Sequence, residues 1–585
     1  MAESIISPGV YTRENDISFI QPAPIAAGAA FIGPAVKGPV EQPTIVTSYN
    51  DYVRKFGVVF QSGSDNHEFL TSMAVRSYFS QGGQTALITR VVSSSADYTR
   101  ALTTHVSSSE KDSVEPFTLE TLGRGALYNN ATSSLHAIEN TDYLNDDGSL
   151  ISGSADNLRW EIAGKNDLSG TFTLLIRRGD DSNNNKVILE TFSNLSLDPN
   201  SDNYIEKRIG NQVLTLATDG TSTYLQETGS YVNRSPYVRV ASVNLPTLNY
   251  LGTDGLTVNL DSAGTSYSAS LPEVTSGSFY NAEGDIKAGA KLYHNIDSNN
   301  TQGLVGGNYD NAIALLSNRD QYQFNIIAAP GLIEANEGTT VQSIVSLAEE
   351  RGDCIAVVDL ENYAAGISTA VGSAAGLNSS YAATYWPWLQ VQSATGKIVW
   401  IPASTVIPGV YAFTDSATAP WFAPAGLVRG GIPGVIQTER RLAKSERDTL
   451  YGAKINPIAT FPGTGIAVFG QKTLQTKASA LDRVNVRRLL IELKKFIGDQ
   501  AKNLVFEQNS IATRNRFLAT VNPYLESVVQ RQGLYAYRVV MDDTNNTADV
   551  IDRNQLIGQI FIQPTKTVEF VVLDFTVEPT GATFA

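Results

Sequence analysis

Four histidines, one cysteine and one glycine-lysine run are the residues of this 585-residue chain whose types could carry chemistry. A Ser-His-Asp triad needs a histidine as its base, and the candidates are His67, His105, His136 and His294. Three of them lie in a stretch rich in Ser, Thr, Asn and Asp. His67 opens a predicted helix beside Asp65 and Glu68, the setting of a surface residue, and no GxSxG elbow is present. The run GIAVFGQKT (465–473) comes near the phosphate-binding pattern GxxxxGK[ST]. Gln471 stands between Gly470 and Lys472, however, and moves the lysine out of register with the loop amides. A lone Cys354, scattered histidines and the absence of HExxH leave no metal centre, and the Asp-rich turns do not match the twelve-residue calcium loop. The expectation is a chain with no catalytic, cofactor or metal site.

The same glycine-lysine run leads into the strongest helical pattern of the chain. FPGTGIAVFGQKTL (461–474) reads as a Pro-Gly turn and a short buried strand, Ile466, Ala467, Val468 and Phe469, closed by Gly470. Over 483–504, after Val486, the residues Leu489, Leu490, Leu493, Phe496, Ile497 and Leu504 recur at the three- and four-residue steps of one helical face. Arg483, Arg487, Arg488, Lys494, Lys495 and Lys502 lie off that stripe, interrupted only by Glu492 and Asp499. The spacing predicts an apolar face turned inward and a basic face turned outward, whereas an ordinary solvated helix mixes both signs.

Charge is divided unevenly along the chain. The net value is −15, but from Trp421 onward 20 lysines and arginines face 15 aspartates and glutamates, a net +5, which leaves −20 for the first 420 residues. An acidic chain is a poor nucleic-acid coat, and the basic C-terminal part suits an acidic partner. One cysteine allows no intrachain disulfide and suits a reducing compartment. MAESIISPGV does not read as a signal peptide, and no apolar run approaches the roughly 18 residues of a membrane span.

Several motifs, in order, resemble a known family. FPGTGIAVFGQKTL followed by VNVRRLLIELKKFI is similar to the C-terminal domain of the contractile tail sheath proteins of bacteriophages. The similarity continues in YAATYWPWLQV (381–391), IPASTVIPGVYAFTD (401–415), WFAPAG (421–426), Phe506 to Asn509 and GLYAYRVVMDDTNNT, and SPGVYTREND (7–16) also fits. The resemblance spans residues 1–92 and 315–585.

Taken in order, the chain predicts an α/β and α+β multidomain protein. Residues 1–20 have no globular pattern and alone read as a frayed terminus, and the resemblance implies an N-terminal arm there. Residues 21–92 and 307–450 alternate strands with helices, as in TSYNDYVRKFG, QTALITRVV, QFNIIAAPG and CIAVVDL, and predict one discontinuous α/β core with parallel strands. Between them, 93–306 carries short alternating runs such as GTFTLLIRR and QVLTLAT between turn signals, an all-β insertion of one or two small domains on the outside of an assembly. Residues 451–566 form the C-terminal domain, with TRNRFLATVN and PYLESVVQRQ as a helical pair and GLYAYRVVM and QLIGQIFIQ as strands. The last segment, 567–585, is apolar on both faces: Val568, Phe570 and Val572 share one parity, Leu573, Phe575 and Val577 the other. Such a strand needs partners on two sides.

The resemblance implies a function that no residue pattern supplies. Sheath subunits form stacked six-membered rings around a tail tube and contract from a metastable extended state, driving the tube through the host envelope. The implied partners are other copies of the chain, the tube protein, and baseplate and tail terminator proteins, with no nucleic acid and no membrane insertion. The implied location is the virion tail, assembled in the host cytoplasm. The family also implies a subtilisin-like core sheet without its triad. It implies arms exchanged between neighbours too, here Val10, Tyr11, Ile17 and Phe19 at one end and Val568 to Val577 at the other, and a tube-facing basic helix. A related contractile injection system, or a host-binding surface protein that uses the insertion, are the alternatives.

Overall fold

A computed structural model describes residues 25–569, apart from 27, 63, 104–105, 109–114, 130–144, 151–152, 221, 287–288, 299 and 464. Its centre is an eight-stranded sheet. Six strands run parallel in the order Asn456–Phe461, Ala382–Trp386, Ile355–Asp359, Ile326–Ile333, Ala29–Gly33 and Ala86–Arg90. An antiparallel strand closes each side, Gly465–Val468 at one and Thr44–Val46 at the other. These strands read as continuous apolar runs because both faces are covered. Phe31, Ile88, Ala328, Val357 and Tyr385 pack into one layer with helices Leu70–Ser80 and Ile407–Ala417. Ala30, Ile32, Leu87, Ile327, Ala356 and Val358 pack into the other, with Asp310–Leu316 and Glu334–Arg351.

Residue 450, where the sequence suggested a domain boundary, falls inside this run of strands. Asn456 pairs with Tyr385, and Ile458 and Val468 are buried in the main core. The short strand of the FPGTGIAVFG run is therefore the edge of the central sheet, and the chain reaches the C-terminal unit only after it.

Local signals explain several element ends. Ser48 accepts from the Asp51 amide at 3.1 Å and caps helix Tyr49–Phe56, and Gly57, at φ +68°, stops it. The helix expected to begin at His67 begins instead at Leu70. Residues Asp65–Glu68 form a strand paired with Val59–Ser62, because the buried Phe60 and Phe69 stack there, 4.3 Å between centroids. At the other end of the core, the buried Arg90 guanidinium donates to the carbonyls of Ala35 (3.1 Å), Gly38 (2.7 Å) and Arg124 (2.7 Å). Burial pulls its pKa down to about 10.

The bond to Arg124 joins the core to the inserted region, where strands predominate but a short helix, Ile205–Ile209, departs from the all-β expectation because Ile205 and Ile209 are buried in the core of that region. Seven antiparallel strands lie in one sheet, with Arg100–Thr103 and Ser276–Tyr280 paired near its middle. Phe117, Trp160, Ile162, Leu174, Ile176 and Val240 fill its own core. A separate hairpin, Val213–Asp219 with Ser222–Thr228, reaches back to the central domain, where Gln42 donates to the Leu214 carbonyl at 3.1 Å.

The C-terminal unit packs helix Val484–Lys502 against helix Ile511–Gln530 and the hairpin Leu534–Val540 with Gln559–Pro564. The second helix is continuous, where the sequence suggested a pair split at Pro523. An interior proline costs about 3 kcal/mol. The stripe Phe517, Val521, Leu525 and Val528 stays buried on both sides of it, and burying such side chains contributes about 1.5–3 kcal/mol each. Packing therefore outweighs the missing amide. Val10, Tyr11, Ile17 and Phe19 of the N-terminal arm, and Phe570, Val572, Leu573, Phe575 and Val577 of the C-terminal arm, lie outside the described residues, as do His105 and His136.

Candidate functional site

Among the described residues, the types that could do chemistry are not assembled into a catalytic site. His67 lies between the rings of Phe60 (5.8 Å) and Tyr293 (6.4 Å), its Nδ1 without a hydrogen bond. Burial, then Lys397, lowers its pKa. Its neighbour Glu68 is turned inward, accepting from Ser72 Oγ at 2.9 Å and the Ala394 amide at 2.6 Å. His294 is exposed and packs edge-on against Tyr363, 5.6 Å between centroids. Lys472 donates to the Tyr451 carbonyl at 2.8 Å and lies over the Tyr451 ring, so its ammonium does not address the preceding glycines. Among the described residues no group of three or more His, Cys, Asp or Glu could hold a metal ion, and no helix is long and apolar enough to cross a membrane.

What the basic helix does is different from what its outward charge pattern predicts. Arg487 and Arg488 are buried, 4% and 3% exposed, while Lys494, Lys495 and Lys502 are exposed. Arg488 donates to Asp415 at 2.5 Å and lies 4.7 Å over the Tyr411 ring, whose hydroxyl meets that of Tyr385 at 2.7 Å. Burial disfavours the Arg488 charge, but Asp415 and the two phenols outweigh it and leave its pKa raised. Arg487 lies 3.9 Å over the Tyr381 ring and donates to Ser380 Oγ at 2.5 Å; burial leaves its pKa lowered.

The physical reason is a second buried face. Val484 and Ile491 belong to the core of the central domain, whereas Leu489 and Leu493 belong to the C-terminal cluster. Val484, Arg488 and Ile491 follow at i, i+4 and i+7, one stripe of the helix, almost opposite Leu489 and Leu493. The helix is thus clamped between two units, and its first arginines are joints rather than a surface. That stripe was legible in the spacing, but it is hidden when only the longer leucine stripe is followed. Beyond Ile491 it emerges as Lys495 and Lys502, which with Lys494, Arg319 and Val505 line an open cleft of about 410 Å³.

Arg483, at the start of this helix, has its own partner. Its guanidinium donates to both Glu569 oxygens, at 2.6 and 3.0 Å, and Gln471 donates to Glu569 at 3.2 Å and to Thr567. Burial alone would raise the Glu569 pKa, but Arg483, Tyr451 and Gln471 hold it below the usual carboxylate range. The root of the C-terminal segment is therefore fixed to its own chain, while the adjacent Val568 is 80% exposed.

The hairpin of the C-terminal unit remains a two-stranded sheet among the described residues, with Tyr535 and Phe561 exposed. Its connecting loop is held by Asn546, which donates to the Asp542 (3.2 Å) and Ile557 (2.9 Å) carbonyls and accepts from the Ile557 amide at 2.8 Å. Among the described residues this leaves two strands with unpaired edges, a basic cleft and a clasped root of the C-terminal segment around one helix. These are features of an assembling surface.

Comparison with known proteins agrees with that geometry. Residues 305–474 match the phage tail sheath protein central domain, and residues 476–578 match the phage tail sheath C-terminal domain. The tail sheath protein of Vibrio phage KVP40 is 35% identical over 297 residues, 46% of this chain and 44% of that protein. The tail sheath protein of Enterobacteria phage T4 is 35% identical over 269 residues, 42% of this chain and 40% of that protein. The chain thus spans less than half the length of the curated relatives it matches. In fold it is similar to the crystal structure of the sheath tail protein from Listeria innocua, at 10% identity and a TM-score of 0.50, over 92% of this chain and 95% of that one. Two matched domains in succession and two relatives at this identity make residues 305–578 similar to the central and C-terminal domains of the phage tail sheath family.

Proposed function

We propose that this chain is the structural subunit of a contractile phage tail sheath. It polymerises as stacked six-membered rings around the tail tube and shifts from a metastable extended lattice to a shorter, wider one, which drives the tube through the host envelope. Its role is mechanical and non-enzymatic. The free energy is the difference between two packings of the same subunits. Each contact exchanged contributes on the order of 1 kcal/mol, and many subunits add to a large force.

The observation that carries this reading is the hairpin Leu534–Val540 with Gln559–Pro564. The pair is stabilised by packing on helix Ile511–Gln530, and it keeps its outer edges unpaired among the described residues, edges to which a further strand can be added. We infer that the arms of neighbouring subunits, residues 5–20 and 567–578, add strands to it, so that backbone hydrogen bonds persist while the other interfaces rearrange. Lys494, Lys495 and Lys502 would face an acidic tube surface in the extended state. Exposed ion pairs are weak and screened by salt, which suits a contact made to be broken. Arg487 and Arg488, buried in the joint, have no part in that contact.

By the same reading, baseplate and tail terminator proteins bound the polymer, the virion tail is its location and the host cytoplasm its place of assembly. The central sheet is subtilisin-like in layout without the triad, and the insertion lies outward. The two tail sheath proteins at 35% identity are from phages, which favours a phage tail over other contractile injection systems. Negative-stain microscopy of the purified chain tests the proposal: striated hollow cylinders are expected, and featureless monomers under all conditions, with tubes present, would refute it. Deleting 567–585 should leave soluble monomers; cylinders from that truncation would refute strand exchange.

A further inference from the structure

The last described residues of the chain run into a cleft. Thr567, Val568 and Glu569 line a space of about 570 Å³ together with Pro457 and Phe469. Arg483 and Gln471 fix Glu569 in place there, while Phe469 is 45% and Val568 80% exposed, so the cleft shows apolar surface to solvent. Its rim carries Arg429, Lys444 and Arg447 against Asp448 and Glu569. Glu569 is already matched by Arg483. Arg429 lies over the ring of Phe422, and Arg447 over those of Phe461 and Phe469. Asp448 alone is left to offset three cations, and the rim stays positive. The segment that continues from this point has the complementary chemistry. FVVLDFTVE (570–578) is apolar on both faces, carries Asp574 and Glu578, and contains no lysine or arginine.

We propose that in the unassembled subunit residues 570–578 occupy this cleft of their own chain, as a latch that covers the segment until a neighbouring hairpin takes it up. This rests on the strand-exchange reading given above and adds what holds the segment before exchange. Apolar side chains meet Pro457 and Phe469, and Asp574 and Glu578 meet the cations of the rim. A strand with two apolar faces, left uncovered in a free subunit, is an aggregation site. Its root is fixed at Glu569, so the cleft meets it at an effective concentration in about the millimolar range of a short tether, above that of a separate copy in dilute solution. Opening the latch is then a step that assembly drives, and a free subunit is slow to polymerise before its neighbours are in place.

The test uses the full chain, dilute enough to stay unassembled, and limited chymotrypsin digestion read by mass spectrometry. Cutting is followed at Phe570, whose immediate neighbours the variants leave unchanged. We expect slow cutting of the wild type, at a rate per molecule that does not change with protein concentration. D574K/E578K should speed cutting by about fivefold or more, and so should K444E/R447E, whereas the four changes together should restore wild-type resistance. K444E/R447E should also polymerise sooner than the wild type, its segment being free. Equal cutting of the wild type and D574K/E578K would overturn the latch. In that case, failure of the 567–585 deletion to polymerise would leave the strand-exchange reading standing, and polymerisation of that deletion would overturn both. Resistance that grows with protein concentration would place the segment on another copy and overturn the proposal. If K444E/R447E melts below the wild type, D574K/E578K decides the matter, because it leaves the cleft itself unchanged.

Discussion

Arg488 and Asp415, 2.5 Å apart, join the basic helix of the C-terminal unit to helix Ile407–Ala417 of the central domain. The arginine is buried and the aspartate about a quarter exposed. Removing one partner of a buried pair leaves an uncompensated charge and costs about 3–5 kcal/mol, somewhat less where water reaches one side. Asp415→Ala should destabilise the chain by about 2–4 kcal/mol in chemical denaturation. Replacing both members with apolar residues, R488M/D415L, should recover most of the loss. Equal destabilisation by the single and double variants would show that the pair is not what joins the units.

Asp359 gives a pH dependence with a definite sign. It is buried at the end of a central strand and accepts from the Ser404 amide at 3.0 Å and from Ser404 Oγ at 2.5 Å. Burial pushes its pKa up to about 6, against 3.8 for the free carboxyl. The folded state therefore holds a proton that the unfolded state releases, and stability falls as pH rises from about 4 to 6, by about 3 kcal/mol if Asp359 acts alone. Asp359→Asn should remove that part of the profile, so the wild type should lose stability relative to the variant between pH 4 and pH 7. Parallel melting profiles for the two would contradict this.

The Arg483 and Glu569 clasp predicts the opposite slope. Glu569 has a lowered pKa, so its contribution is present above the ordinary glutamate range and is lost as pH falls through the lowered value. A partly buried pair of this kind is worth about 1 kcal/mol, about a fivefold change in how often the segment after Thr567 opens. Glu569→Gln should raise the rate of proteolytic trimming of that segment by about that factor, and the swap R483E/E569R should restore resistance.

The exposed lysines predict dependence on salt rather than pH. The Debye length falls from about 10 Å at 0.1 M to about 3 Å at 1 M. Raising salt across that range should weaken association with tubes and leave the buried Arg488 and Asp415 joint intact, as read by an unchanged melting temperature at matched pH.

Much of the fold was legible because its signals are local. Ser48 and Gly57 mark both ends of their helix, the strands of the central sheet stand as apolar runs, and the turn-rich middle alternates as an antiparallel sheet must. What misled was tertiary context. Pro523 does not break its helix because a buried stripe runs through it. The strand before Gly470 joins a sheet whose other members lie up to several hundred residues earlier, which no local pattern reveals. Arg487 and Arg488 look solvated by type and are buried by position, because aromatic rings and one carboxylate wait on another domain. Phe506 was visible as a residue, but its exposure depends on a backbone conformation that a sequence does not display.

The inserted β region hangs from its own paired stalk. Arg100–Thr103 leaves beside Ser276–Tyr280, the Thr99 amide donates to the Glu283 carbonyl at 3.1 Å, and Asn308 donates to the Ser93 carbonyl at 2.8 Å. Outgoing and incoming polypeptide meet at one spot, so changes beyond it that spare the carbonyls of Arg124 and Leu214, held by Arg90 and Gln42 of the core, leave the strand order of the scaffold unaltered. The stalk is a ready-made grafting point for a foreign domain with closely spaced ends.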